Sequence, residues 1–277
     1  MRSAPWPWDA NRDLIRRCND PWKRLVTFMK SKSQTPSGYV TRESADAGRE
    51  FEIHVQGRRV PIAVWFPEGE PALRPLILVG HGGSGHKTSN LVLSLMRPLR
   101  ERNFVVAAID GPVHGARRMP ADDPSDVRTD FRRLWERGGS VDPMVEDWRA
   151  TLDELSTLPQ VDAANVGWFG ISMGTAYGLP FIAKEPRIRA AVLGMWGTCR
   201  ARSARLVEDG PAVVCPVLFQ QKAQDEIFTP QGQADVFDNL GSDRKMLRVY
   251  AGGHTDPIPE QVDDAVRFLS EHLRGAG

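Results

Sequence analysis

Ser172 stands between Gly170 and Gly174 in the stretch GWFGISMGTAYG, directly behind an apolar run. A serine hydroxyl is a poor nucleophile at neutral pH and needs an adjacent base. His254, in VYAGGHTDPIP, could take its proton, and Asp225, in FQQKAQDEIFTP, could hold the imidazole in the tautomer that accepts it. The stretch HGGSGHK, His81 to Lys87, has three glycines in residues 82–85, which let main-chain N–H groups approach a ligand closely. Such a loop could donate to a developing oxyanion. Each stretch also has a plainer reading. Ser172 fits any small-residue turn, and the glycine loop fits a tight turn into a helix. His254 fits an ordinary loop histidine, and Asp225 a solvated acidic loop. Glu226, next to Asp225, is a competing carboxylate.

The elements around these residues favour the chemical reading. Apolar runs at Leu76–Gly80, 104–110, 166–170, 190–196, 216–220 and 245–250 read as strands buried on both faces. Helical spacing fills the gaps at roughly 88–101, 144–157, 173–184, 230–239 and 259–274. Alternation of strand and helix predicts an α/β fold, with a mostly parallel sheet covered on both faces by helices. Before it, Phe51, Ile53 and Val55, then Val60, Ile62, Val64 and Phe66, alternate with polar residues around QGRR. They predict an N-terminal antiparallel hairpin at one sheet edge. All four chemical stretches then fall just beyond strand ends, where open sheets of this kind bind ligands. Residues 1–45 read as a helical extension, with Asp20–Pro21 as its cap and Trp22, Leu25, Val26 and Met29 on one face. That face would pack on the main domain, 46–277, or on a second copy as a homodimer.

Composition bounds the rest. The 277 residues are 41% hydrophobic, enough for a sizeable core, and the net charge of +1 gives no global field for nucleic acid. The longest apolar runs are too short to span a bilayer, and the start has no signal-peptide core. Three widely spaced cysteines make neither a metal pattern nor a disulfide framework, and the remaining histidines match no metal spacing. The expectation is a cytoplasmic protein without a cofactor or metal, and with no nucleic-acid or membrane partner.

The stretches HGGSG, DGPVHGAR, GISMG, DEIFTP and GGH together resemble the α/β-hydrolase family of serine hydrolases, over residues 50–275. The order serine, acid, histidine after successive strands is that family's. The stretch Asp110–Arg117 is similar to one found in dienelactone-hydrolase-like and prolyl-oligopeptidase-like esterases. Dienelactone hydrolases proper use a cysteine where this chain has Ser172, which favours ester over lactone cleavage. The resemblance implies Ser172 as nucleophile, His254 as base and Asp225 as acid. It implies the N–H groups of Met173 and of Gly83, or Ser84, as the oxyanion hole. Asp225 is preferred over Glu226 because DEIFTP resembles the turn in which the acid precedes an aliphatic residue and then a proline. The implied activity is cleavage of small or medium carboxylic esters through an acyl-enzyme. Alternatives are a peptidase, thioesterase or acetyl-sugar deacetylase, or a non-catalytic binding protein on this fold. Ser84 and Trp196 are the expected substrate-binding residues. Segment 112–143, rich in arginine, is a candidate partial cover, either a solvated charged face or a binder of substrate carboxylate.

Overall fold

The computed structural model describes residues 48–119 and 126–273. The expected helical extension over residues 1–45 lies outside them. The hairpin forms as expected. Strand β1 (Arg49–Val55) pairs antiparallel with β2 (Arg58–Trp65). Gln56 and Gly57 both turn at positive φ, 48° and 79°, as a two-residue hairpin loop with the twist of its strands requires.

The remaining strands are β3 (Arg74–Gly80), β4 (Val105–Ile109), β5 (Val161–Gly170), β6 (Ile188–Gly194), β7 (Val217–Lys222) and β8 (Lys245–Tyr250). They form one eight-stranded sheet in the order β1-β2-β4-β3-β5-β6-β7-β8. Strand β2 runs antiparallel to both its neighbours, β1 and β4, whereas β3 to β8 pair in parallel. The chain moves from β3 to β4 on one side, then returns to place β5 on the other. That reversal opens a crevice at the carboxyl ends of β3 and β5, where Gly80 lies beside Gly170.

Helices cover both faces: α1 (Asn90–Glu101), α2 (Val127–Arg137), α3 (Val141–Leu155), α4 (Met173–Lys184), α5 (Ala204–Asp209), α6 (Pro230–Asp238) and α7 (Pro259–His272). Successive residues of β5 report the two sides, because strand side chains alternate. Trp168 packs on Trp148 of α3 and Phe181 of α4, ring centroids 4.8 and 5.4 Å away. Phe169 points the other way, into a core cluster with Leu95 and Leu99 of α1 and Val266 and Leu269 of α7.

Two strands depart from expectation. Strand β2 is buried along Val60–Trp65 instead of alternating, because it lies between β1 and β4 with α3 packed against it. Strand β8 is not buried on both faces. It pairs only with β7, and Met246, Leu247 and Val249 are exposed. An apolar run does not distinguish an edge strand from a central one. No helix among the described residues is long and apolar enough to cross a membrane.

Candidate active site

Ser172 sits on the turn between β5 and α4, with φ 54° and ψ −121°. A non-glycine residue here stores strain of order 1–3 kcal/mol and persists only where its surroundings hold it. The restraints are visible. Ser172 N–H donates to the Gly194 carbonyl at the end of β6, at 2.9 Å. Thr175, one turn into α4, accepts from Gly194 N–H at 2.8 Å. Its single hydroxyl proton is shared between the carbonyls of Gly170 and Gly194, at 2.8 and 2.6 Å. The flanking glycines are spatial necessities. A Cβ on Gly170 would lie 2.7 Å from the Gly174 carbonyl oxygen, and one on Gly174 would lie 2.6 Å from that of Gly80. The turn can be this sharp because three main-chain segments touch.

The Ser172 Oγ lies 2.9 Å from His254 Nε2, and His254 Nδ1 lies 3.0 Å from Asp225 Oδ2. An ionised carboxylate only accepts, so Nδ1 carries the proton and Nε2 is left as an acceptor for the serine hydroxyl. Asp225 is held firmly. Its Oδ1 accepts from Ile227 N–H and Phe228 N–H, both at 2.9 Å. Burial pushes its carboxyl up, but the hydrogen bonds from His254 and from these N–H groups outweigh it, and the net shift is downward. Glu226 has a separate task, accepting the main-chain N–H of His254 at 2.8 Å. The two adjacent carboxylates thus divide one histidine, Asp225 taking the ring and Glu226 the backbone. The loops after β7 and β8 are further laced together. Ala223 N–H reaches Tyr250 O, Gln224 N–H reaches Gly252 O, and Gly252 N–H reaches the Gln224 side chain, at 2.8, 3.1 and 2.6 Å.

The main-chain N–H groups of Gly83 and Ser84 in the glycine loop, and that of Met173, have no acceptor among the described residues. The last is a first-turn helix N–H, which has no intrahelical partner. The glycine loop is oriented by two histidines that sequence reasoning left without a role. Gly111 N–H donates to His81 Nε2 at 2.9 Å, so the proton sits on Nδ1, which donates to Gly82 O at 2.8 Å. A trans peptide points its C=O and N–H in opposite directions. Fixing Gly82 O therefore fixes the direction of the Gly83 N–H. His114 Nε2, 3.1 Å from Gly83 O, fixes the Ser84 N–H in the same way. Asp110 anchors the turn that carries His114, accepting from the main-chain N–H groups of Lys87 and Ala116, each at 2.9 Å. The stretch DGPVHGAR thus braces the glycine loop, a signal the sequence carried without its meaning.

Both histidines are buried and uncharged. Burial pushes His81 down to about 4 and His114 down to about 3. The unfolded chain, with histidines near 6.5, binds protons that the folded chain refuses. Stability therefore falls as pH drops from 6.5 towards 4. The expected loss between pH 7 and 5.5 is about 1 kcal/mol from each ring, read as a falling urea midpoint. His114→Gln should remove about half of it. A flat midpoint over that range would mean the rings are charged in the folded protein.

A cleft of about 180 Å³ opens over Ser172 and His254. Gly83, Ser84 and Trp196 line it, so both expected substrate-binding residues face the same space as the serine. Trp196 is also a wall of the core. It is 2% exposed, its Nε1 donates to Ser203 Oγ at 2.9 Å, and its ring lies 4.7 Å from Phe228. From segment 112–143, Arg128, Phe131 and Arg132 of α2 reach the cleft. No group of three or more His, Cys, Asp or Glu suited to a metal occurs among the described residues.

The chain is similar to a cold-adapted esterase from an Arctic intertidal metagenomic library, whose PEG-bound structure matches with 32% identity and a TM-score of 0.73. The match covers 87% of this chain and 100% of that one. A Klebsiella pneumoniae subsp. pneumoniae MGH 78578 protein, provisionally named a dienelactone hydrolase, matches at 18% identity and a TM-score of 0.64. That match covers 81% of this chain and 96% of the other, and its likeness concerns the fold alone. In sequence, the chain is 28% identical over 170 residues to NocK of Nocardia uniformis subsp. tsuyamanensis, provisionally named an esterase. The aligned part is 60% of this chain and 46% of NocK, so the chain spans just under half of that relative's length. No protein-family model matches.

Proposed function

This chain belongs to the α/β-hydrolase superfamily, among its esterases, and from that premise we propose that it is a serine esterase cleaving small or medium carboxylic esters. The observation that carries the reading is the continuous path from Ser172 Oγ through His254 to Asp225, 2.9 and 3.0 Å per step. Beside it lie unengaged N–H donors on Gly83, Ser84 and Met173.

In this reading His254 Nε2 takes the hydroxyl proton as Ser172 Oγ attacks the ester carbonyl. The carbonyl oxygen becomes an oxyanion, received by the N–H groups of Gly83 and Met173. Removing one such donor typically costs about 3 kcal/mol of barrier. The oxyanion collapses, the alkoxide takes the proton from His254 and leaves as the alcohol, and Ser172 is acylated. Water then repeats the sequence: His254 takes its proton, hydroxide adds to the acyl carbon, and Ser172 leaves with the proton returned. Asp225 keeps the imidazole oriented and stabilises the imidazolium in both halves. The donors need no movement because His81 and His114 already aim the glycine loop.

A fluorophosphonate probe should label the folded protein once, on the peptide containing Ser172, and abolish turnover in proportion. With p-nitrophenyl acetate, a burst of p-nitrophenol equal to the enzyme concentration should precede the steady state if deacylation is slower than acylation. A folded protein that hydrolyses the ester yet takes no label at Ser172 would sink the acyl-enzyme reading.

A further inference from the structure

The cleft over Ser172 is mostly apolar, yet three arginines line it: Arg128, Arg132 and Arg200. Asp256 is the one acidic residue in that lining among the described residues. Arg128 and Arg132 come from one face of α2, at i and i+4, with Phe131 between them. Phe131 fixes that face inward. It is buried, and its ring sits 6.2 Å from Tyr177 and 6.3 Å from Trp196. The helix cannot turn its arginines away without pulling Phe131 from the core.

The surrounding arginines are engaged by the protein itself. Arg117 pairs with Asp147 at 2.8 Å, Arg118 with Asp130 at 3.0 Å, and Arg133 with Asp130 at 3.7 Å. Arg202 donates to the Glu136 carbonyl at 2.6 Å, and Arg200 lies 3.6 Å from the Glu136 carboxylate. Arg128 and Arg132 form no hydrogen bond or ion pair with any described residue. The two arginines that α2 turns to the cleft thus have no partner among the described residues. A guanidinium presents a planar fork of donors that fits a carboxylate with two parallel hydrogen bonds. Positive charge at the mouth of a low-dielectric cleft also gathers anions.

We propose that Arg128 and Arg132, with Arg200 beside them, form a carboxylate subsite, and that the ester this protein takes carries a free carboxylate at the end remote from the scissile bond. The proposal rests on the esterase reading for its chemistry and on the cleft for its binding. The two can fail separately.

The test uses matched pairs: monomethyl and dimethyl glutarate, and monomethyl and dimethyl adipate. In the unaltered protein, kcat/KM for the monoester should exceed that for the diester by 10-fold or more at low salt, and the ratio should shrink at 0.5 M salt. In the double variant Arg128→Ala/Arg132→Ala the ratio should fall at least 10-fold, with the change carried by KM. Arg133→Ala, on the same helix and removing one positive charge of its own, should move the ratio less than two-fold. A ratio near one, or an equal fall in Arg133→Ala, overturns the proposal. Calorimetric titration of Ser172→Ala with the same pairs separates binding from chemistry. Preferential binding of the monoester by this variant, with the unaltered protein hydrolysing neither ester, would uphold the subsite and reject the esterase reading. Equal binding with diester hydrolysis would do the reverse.

Discussion

Ser172→Ala is expected to lower ester turnover by roughly 10⁵–10⁶-fold, the scale seen when a nucleophile of this type is deleted, with the protein still folded. The hydroxyl makes one hydrogen bond within the described residues, to His254 Nε2. The restraints on the strained turn belong to the main chain and to Thr175, and alanine keeps all of them. Thermal unfolding should therefore move little while the rate collapses. A residual acceleration of about 10³–10⁴-fold over the uncatalysed reaction should survive, because the donors of Gly83 and Met173 would still polarise a bound ester. Turnover of p-nitrophenyl acetate near the original rate in Ser172→Ala would reject the serine as nucleophile.

The second large effect separates two neighbours. Asp225→Asn should cost on the order of 10⁴-fold in kcat near neutral pH, as removal of the orienting charge does elsewhere. An amide at this place can donate to Nδ1 of His254. The ring proton then moves to Nε2, and the base faces Ser172 with a donor where an acceptor is needed. Glu226→Gln should cost less than 10-fold, because the amide oxygen still accepts the His254 main-chain N–H that Glu226 holds at 2.8 Å. Steady-state kcat for the pair decides the matter. A larger loss in Glu226→Gln than in Asp225→Asn would reverse the roles assigned to the two acids.

The residues of the proposed reaction centre could be picked out because chemistry restricts their types. Ser172, Asp225 and His254 each follow an apolar run, and a parallel sheet delivers successive strand ends to one edge. The glycines at 170 and 174 were legible as a sharp turn, although the close approach to Gly80 that requires them is a long-range fact. What stayed hidden depends on pairing across the chain. Nothing local in KMLRVY says that it is an edge strand, and nothing local in DGPVHGAR says that His114 will meet the Gly83 carbonyl 31 residues earlier. Glu226 resembled a rival to Asp225, and only the path of the His254 loop gives the two acids separate partners. The helix VRTDFRRLWER reads as a solvated charged face until Phe131 is seen anchoring it against the aromatic wall of the cleft.

The lacing of the loops after β7 and β8 makes one unit of them. Asp225, Glu226 and His254 are tied to one another and ride on the last two strands of the sheet. Ser172 and the glycine loop ride on β3, β5 and β6 at its centre. The two groups share the β6–β7 ladder and the contact of the Phe228 and Trp196 rings, and their reactive side chains meet where Oγ lies 2.9 Å from Nε2. A breathing motion at the outer edge would carry acid and base away together, with their mutual geometry intact. It would switch the hydroxyl from armed to idle without disturbing either group.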